Sequence, residues 1–157
     1  PRGCELLYRA SRDGWRASQF HSKCDNQGAT FTLIRSVQGC IFGGYVDVPW
    51  SSQGNWQHSS KAFLFTLVNT TGLQPAKMPL AIYFEHAIYC NPSFGPTFGS
   101  NHDLHVTDNP HSNICTAKVG GTYQLPSGQD PNFLAEDEHG YGHPSFRCAD
   151  IEVFRLF

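Results

Sequence analysis

Charged residues are scarce in this chain of 157 residues: they make up 15% of it, and the net charge is −2. A charge balance this close to neutral offers no basic patch for nucleic acid or for an anionic membrane surface. No apolar run approaches the roughly 18 residues that a membrane-spanning helix needs. The sequence therefore predicts no nucleic acid among the partners and no membrane insertion.

The usual signatures of catalysis are also missing from the sequence. It contains no GxSxG, HExxH, P-loop or dinucleotide-binding motif, and the segment Gly95–Gly99, GPTFG, lacks the serine of a nucleophile elbow. No two cysteines form a CxxC pair, which argues against a zinc ribbon and against a thioredoxin-type site. We therefore expect a protein that is not an enzyme.

Aromatic residues, by contrast, are plentiful at 13%, and twelve of them are phenylalanine. This apolar mass and the chain length predict a single domain over residues 1–157 with one core. One helix is expected over Asp13–Cys24, with Asp13 as its N-cap and Ala17, Phe20 and Cys24 on one face.

Short runs rich in β-branched and aromatic residues follow this helix, each bounded by Gly, Pro, Asn or Ser. Strands are expected at Thr30–Ser36, Cys40–Val46, Ala62–Val68, Ala81–Phe84, Ala87–Cys90, Asp103–Asp108 and Ile151–Phe157. This pattern predicts a mainly β fold, an antiparallel two-sheet β-sandwich with one or two α-helices. The last strand is apolar on both faces and is therefore expected inside a sheet, and Gly43-Gly44 indicates a bulge or a close backbone approach.

An acidic segment stands out near the C-terminus, where Leu134–Cys148 reads LAEDEHGYGHPSFRC. Three adjacent carboxylates repel one another unless water, a basic group or a cation screens them. Calcium takes six to eight oxygen ligands, and we identify Glu136, Asp137 and Glu138, with Asp130 nearby in sequence, as its candidate ligands. A solvated acidic turn without a metal is the alternative explanation.

A sugar site needs an aromatic surface for the apolar face of a pyranose and polar groups for its hydroxyls. Tyr141 within the acidic segment and Trp56 in a polar run are the candidate surfaces, and His139 and His143 are the candidate donors. For Trp56 the alternative is a partly buried tryptophan that closes one end of the sandwich. On a strand, the spacing of His102 and His105 would point their side chains to opposite faces, whereas His139 and His143 could converge on a glycine loop. A zinc site is disfavoured, because structural zinc in a secreted chain would normally recruit the cysteines.

Six cysteines are scattered along the chain, at Cys4, Cys24, Cys40, Cys90, Cys115 and Cys148. An even number in a chain of this size predicts at least two disulfides, although Cys24 and Cys90 are also suited to be buried free thiols. Cys4 and Cys148 are the preferred disulfide candidates, and a homodimer, with or without an intermolecular disulfide, also fits the sequence.

Two further features favour an oxidising, extracellular compartment. The chain begins at Pro1 without a methionine, as a secreted chain does after removal of a signal peptide, although a trimmed chain looks the same. Asn69-Thr70-Thr71 matches the acceptor sequence for N-glycosylation. The sequence therefore predicts a secreted protein.

Several collinear motifs together resemble the TLDc domain family. They are LLYRASRDGW (Leu6–Trp15), FHSKCDNQG (Phe20–Gly28), IFGGYVDVPW (Ile41–Trp50), KAFLFTL (Lys61–Leu67), AIYCNPSFGPTFG (Ala87–Gly99), HDLHVTD (His102–Asp108) and the terminal DIEVFRLF. The resemblance implies a two-sheet β-sandwich with a few helices and a protein that is not an enzyme. The better-known members of the family are intracellular, protect against oxidative damage and are linked to the vacuolar proton pump.

The chain differs from that family pattern in its cysteine content and in an expansion between Phe133–Ala135 and the last strand. With these features it also resembles secreted, calcium-dependent galactose-binding lectins of the type found in sea anemones. This second resemblance implies a lectin that binds galactose-containing glycans. The alternative function is a protein-interaction module of the oxidation-resistance type.

Overall fold

The computed structural model describes residues 2–135 and 145–157. These residues form twelve strands, two α-helices and one short 3-10 helix at Phe84–His86. The helices are α1 (Ala10–Asp13) and α2 (Ala17–Cys24). The strands are β1 (Cys4–Arg9), β2 (Thr30–Ser36), β3 (Ile41–Val46), β4 (Asn55–Gln57), β5 (Phe63–Val68), β6 (Ala76–Pro79), β7 (Ile88–Cys90), β8 (Thr97–Phe98), β9 (Leu104–His105), β10 (Cys115–Ala117), β11 (Ser145–Phe146) and β12 (Cys148–Leu156).

The first sheet contains the longer strands in the order β1-β12-β2-β3-β5-β6, and every neighbouring pair is antiparallel. Ile34 lies opposite Ile151 in the β2–β12 pair, and both side chains are buried on the inner face. The last strand of the chain lies between β1 and β2, so the prediction of an inner strand is confirmed.

The second sheet consists of short strands in the order β11-β10-β9-β8-β7-β4, again all antiparallel. Rings from the two sheets meet in the core, where Phe42 of β3 and Phe146 of β11 pack edge to face with centroids 5.0 Å apart. Trp50 likewise meets Phe98 of β8 at 5.5 Å. The predicted antiparallel two-sheet β-sandwich with helices is thus confirmed.

The glycine pair of β3 provides a close approach between backbone and side chains, as its sequence predicts. A Cβ added to Gly43 would lie 1.8 Å from the carbonyl oxygen of Thr32, and one added to Gly44 would lie 2.6 Å from the ring of Phe98. The β3–β5 register also shifts between Ile41 and Phe42, which places an irregularity in the same strand. Only glycine leaves room for both contacts.

The prediction of a single helix over Asp13–Cys24 is wrong for the residues before Ala17. Asp13 is the last residue of α1, and Gly14 then takes a φ of 115°, which ends that helix. The second helix starts at Ala17, whose N–H donates to the carboxylate of Asp108 at 2.8 Å, a partner distant in sequence. With four and eight residues, α1 and α2 leave the described part of the chain without a helix that could cross a membrane.

Two strand predictions are also corrected. The segment Ala81–Phe84 forms no strand, because Tyr83 takes a left-handed φ of 55° and the 3-10 helix follows it. Within the run predicted over Asp103–Asp108, only Leu104–His105 is a strand. The other predicted strands are present with small shifts at their ends, whereas six short or polar strands (β1, β4, β6, β8, β10 and β11) had no prediction.

Candidate functional site

Most of the residues proposed for calcium and sugar lie in the acidic segment. Glu136, Asp137, Glu138, His139, Tyr141 and His143 are outside the described residues, so their roles stay predictions. The structure does describe both flanks of this segment. Of the features proposed for calcium and sugar, the structure thus describes the two flanks, Asp130 and Trp56.

The two flanks of the acidic segment are buried in the core. Phe133, Leu134 and Ala135 before it are each at most 4% exposed. The carbonyl of Phe133 accepts hydrogen bonds from the backbone N–H and the hydroxyl of Thr70, at 3.2 and 3.1 Å. After the segment, the strand β11 pairs with β10. The expansion predicted from the sequence therefore begins and ends at fixed points of the sandwich.

Asp130 lies just before the first flank and keeps one carboxylate oxygen available. Its Oδ1 accepts the N–H of Asn132 at 2.9 Å, and its carbonyl accepts the N–H of Phe133 at 3.0 Å. Its Oδ2 has no partner among the described residues, which leaves it open to a cation or to water. The adjacent Pro131 lines a cavity of about 630 Å³ together with Lys118 and Gln124.

A complete metal site would need more ligands than Asp130 supplies. In the ranges 2–135 and 145–157, no group of three His, Cys, Asp or Glu side chains is arranged to hold a metal ion. Because calcium takes six to eight oxygen ligands, the remaining ligands would have to come from the acidic segment and from backbone carbonyls. The role of Asp130 as a calcium ligand therefore stays a prediction.

Trp56 lies far from the second flank, the strand β11. It is on β4, at one edge of the second sheet, whereas β11 forms the opposite edge. Five strand spacings of about 4.8 Å separate these edges, a distance of about 24 Å. The structure therefore places Trp56 on a surface of its own, away from the strand that follows the acidic segment.

That surface is the outer side of the second sheet. Trp56 lies directly opposite Tyr89 of β7, and Thr97 of β8 lies opposite His105 of β9. The neighbouring residues Ile88 and Phe98 are buried on the inner side, so alternation turns Tyr89 and Thr97 outward. A single cross-strand row thus carries aromatic rings from the sheet edge toward its centre.

Two residues from connecting segments extend this row into a continuous layer of rings. We call this layer the ring face and define it by Trp56, Tyr89, Phe94, His102 and His105. The centroid distances are 4.5 Å for Trp56–Tyr89, 4.6 Å for Phe94–His105 and 4.6 Å for His102–His105. All five side chains are partly exposed, so the layer is an aromatic surface and not part of the inner core.

The position of His102 corrects the prediction that it points away from His105. His102 precedes β9 in a turn and takes a left-handed φ of 56°, so the alternation of a strand does not apply to it. Burial lowers the pKa of both imidazoles, and the proximity of His102 lowers that of His105 further, to about 4. Both rings are therefore neutral at pH 7.

The ring face also offers polar atoms that have no partner within the described residues. The hydroxyl of Thr97 donates to the carbonyl of Gly95, so His105 donates its Nδ1–H to Thr97 at 3.0 Å and keeps Nε2 as an acceptor. Tyr89 accepts a hydrogen bond from Asn91 and keeps its O–H as a donor. The indole N–H of Trp56 makes no hydrogen bond in this part of the chain.

The sequence contained a partial signal for this surface. Trp56 was identified as a candidate, but its partners Tyr89 and Phe94 lie in a separate run, and their proximity to it depends on strand pairing. The interpretation of Trp56 as a partly buried residue at the end of the sandwich is correct about its burial, yet the residue lies at a sheet edge.

The cysteines differ from the predicted disulfide framework. The thiols of Cys4, Cys24, Cys90, Cys115 and Cys148 are free in the structure, so the prediction of at least two disulfides is wrong. Cys4 lies opposite Leu156, eight residues along β12 from Cys148 and thus about 26 Å away, which excludes a bridge between these two candidates. Cys4 is exposed, and a disulfide-linked homodimer through it stays a prediction.

The buried thiols act as core side chains. Cys24, Cys90, Cys115 and Cys148 are each 0% exposed and belong to the hydrophobic core. A hydrogen bond between the side chains of Cys115 and Cys148 lowers the pKa of the Cys115 thiol, whereas burial raises that of Cys148. The alternative that Cys24 and Cys90 are buried free thiols is confirmed.

Comparison with known proteins identifies one family and one curated relative. The model of the TLDc domain matches residues 2–157. The MTOR-associated protein MEAK7 of Danio rerio is 27% identical over 62 residues, which are 40% of this chain and 14% of that protein. The match covers only a small part of MEAK7, so it relates this chain to one region of that protein and not to the whole of it.

Proposed function

The chain belongs to the TLDc domain family, and from this premise we propose that it is a secreted, non-enzymatic binding domain for galactose-containing glycans that uses calcium. The observation that carries the proposal is the acidic segment, which the sequence inserts between two buried flanks of the sandwich. An insertion of this composition adds charge and hydrogen-bonding groups to the chain between flanks that keep their places in the core.

The chemistry of the segment fits calcium better than any other common metal. Glu136, Asp137 and Glu138 supply carboxylates, and Asp130 adds the oxygen that has no partner among the described residues. Bound calcium supplies open coordination positions that two vicinal sugar hydroxyls can fill. The orientation of such a hydroxyl pair differs between epimers, which gives a physical basis for preferring galactose.

Other residues of the segment offer an apolar ring surface and hydrogen-bond donors for a sugar. Tyr141 offers a ring for the apolar face of a pyranose, since aromatic side chains combine a large apolar area with a polar tip. His139 and His143 offer N–H donors for hydroxyl oxygens. Trp56, about 24 Å across the sheet from β11, is not needed for this site.

A glycan array probed in calcium and again in chelator tests this proposal. We expect signals on glycans with terminal galactose in calcium and a marked decrease of these signals in EGTA. Glu85→Gln, which changes an exposed carboxylate outside the segment, is the matched control and should leave the signals unchanged. An array without galactoside signals in either buffer would reject the sugar-binding function.

A protein-interaction module is the second candidate function, and two observations favour it. The curated relative is by name an mTOR-associated protein. In addition, the outer face of the first sheet carries aromatic pairs, Phe31 with Phe65 at 4.6 Å and Tyr45 with Phe63 at 5.2 Å, and all of these rings except the buried Phe65 are partly exposed. Exposed apolar area of this kind is characteristic of protein contacts. An empty glycan array would make this function the better account.

A further inference from the structure

We propose that the ring face is a second saccharide-binding surface, which takes neutral pyranosides and works without calcium. The ligand class rests on the proposed sugar-binding function, whereas the surface itself is distinct from the acidic segment. Three features of the ring face favour such a ligand: the placement of its rings, its unpartnered polar atoms and its lack of charge.

The placement of the rings produces an aromatic surface at a sheet edge. Trp56 and Tyr89 face each other across the β4–β7 pair, and β4 has no further strand on its other side among the described residues. The rings of Tyr89 and His86 pack against Trp56 with centroid distances of 4.5 and 4.8 Å, and these two contacts fix its orientation. A ring held in this way meets a ligand with little loss of rotamer freedom.

The polar atoms of the ring face match the hydroxyl groups of a sugar. Trp56 Nε1–H and Tyr89 O–H are donors without an acceptor in the described chain, and His105 Nε2 is an acceptor without a donor. Donors and acceptors that alternate beside apolar ring faces suit a pyranose, whose C–H face is apolar and whose edge carries hydroxyls.

The charges around the ring face favour a neutral ligand. The two histidines on it are neutral at pH 7 because burial lowers their pKa values. Asp103, which follows His102 in the chain, is fully buried, and its Oδ2 accepts the N–H groups of Gly120, Thr122 and Tyr123. None of the five side chains that define the ring face is charged at pH 7, so an acidic sugar, a phosphate or a basic peptide would find no counter-charge among them.

The separation of the two surfaces has a consequence for avidity. The strand β4, which carries Trp56, and the strand β11, which follows the acidic segment in the sequence, lie at opposite edges of one sheet, about 24 Å apart. Two weak sites on one chain increase the apparent affinity for a glycan-coated surface far beyond that of either site. A single domain would thus bind multivalently even as a monomer.

Saturation-transfer NMR with methyl β-D-galactopyranoside in EGTA tests the proposal on the intact chain. We expect saturation transfer to the ring protons on one face of the sugar, and a loss of about tenfold in affinity or more in Trp56→Ala. Trp15→Phe is the matched control, because Trp15 stacks on His111 and makes no ring contact with the ring face within the described residues. No transfer to the wild-type chain in EGTA, or undiminished transfer in Trp56→Ala, would overturn the inference.

Two further variants keep this test decisive. If circular dichroism shows that Trp56→Ala is unfolded, Trp56→Phe keeps a smaller ring and should still reduce affinity severalfold. The double variant Glu136→Gln with Glu138→Gln should retain the EGTA-insensitive transfer, since it changes only the acidic segment. Loss of that transfer in the double variant would contradict a second site. If the wild-type chain shows the EGTA-insensitive transfer but no additional sugar binding in calcium, the calcium site alone is rejected.

Discussion

The imidazole rings of His102 and His105 lie with their centroids 4.6 Å apart and their planes inclined by 31°. The proximity of two titratable bases in a partly buried layer disfavours protonation of either one. Burial is the larger cause of the lowered pKa of His105, and His102 adds to it. The ring face is thus built on the neutral forms of both residues.

Stability should consequently fall in mild acid. The pKa of His105 is about 4 in the folded chain and 6.5 in the unfolded reference, so the unfolded chain binds more protons between these values. The stability is complete above pH 6.5 and decreases as the pH falls toward 4, by about 2 kcal/mol once solvent screening is allowed for. Urea unfolding at a series of pH values measures this change.

The histidine that causes this dependence can be identified by substitution. His105→Gln should reduce the slope of the stability profile between pH 6.5 and 4 and leave the part that the lowered pKa of His102 contributes, whereas His58→Gln, at an exposed position, should leave the profile as it is. Other titratable groups near the pair are His86 and Asp103, and neither is altered by these variants. An unchanged profile in His105→Gln would contradict the assignment.

Gly43→Ala should destabilise the sandwich by about 3 kcal/mol or more, because the added Cβ would lie 1.8 Å from the carbonyl oxygen of Thr32. Gly54→Ala is the matched control: its Cβ meets no atom within 4 Å, and only its φ of 73° is unfavourable. A cost of about 1 kcal/mol is expected there. Equal midpoints for the two variants in thermal unfolding would refute the close approach at Gly43.

Asp103→Ala should cost about 3–5 kcal/mol, because it leaves the buried N–H groups of Gly120, Thr122 and Tyr123 without their acceptor. Asp103→Asn keeps one acceptor oxygen and should cost less. Asp130→Ala, which removes a carboxylate that caps only a local turn, should cost about 1 kcal/mol or less. Chemical denaturation measures the free energy of unfolding of the three variants. A smaller loss in Asp103→Ala than in Asp130→Ala would contradict the structure.

Local sequence signals predicted the central strands of the first sheet well. Thr30–Ser36 and Ile151–Phe157 are apolar, rich in β-branched or aromatic residues and long enough for alternation to be visible. The strands of the second sheet have only two or three residues, so their pairing and not their composition defines them. The break between α1 and α2 escaped prediction because Asp108, distant in sequence, caps the second helix.

The two candidate sites also differ in whether their residues are consecutive in the sequence or are brought together by the fold. The acidic segment is visible in the sequence because its residues are consecutive, from Glu136 to Glu138. The ring face joins Trp56, Tyr89 and His105 from three separate strands, and only the strand order brings them together. The spacing of His102 and His105 gave the wrong orientation, because a left-handed turn replaces the expected strand at His102.

Calorimetric titration of galactose into the protein, first in calcium and then in EGTA, tests the proposed function most directly. The account predicts heat of binding in calcium, a marked decrease of that heat in chelator, and the same decrease in Glu136→Gln with Glu138→Gln at unchanged folding, since surface charges contribute little to stability. Any weaker heat that remains in EGTA should disappear in Trp56→Ala. Equal heats in the two buffers, or none with any galactoside, would contradict calcium-dependent galactose binding.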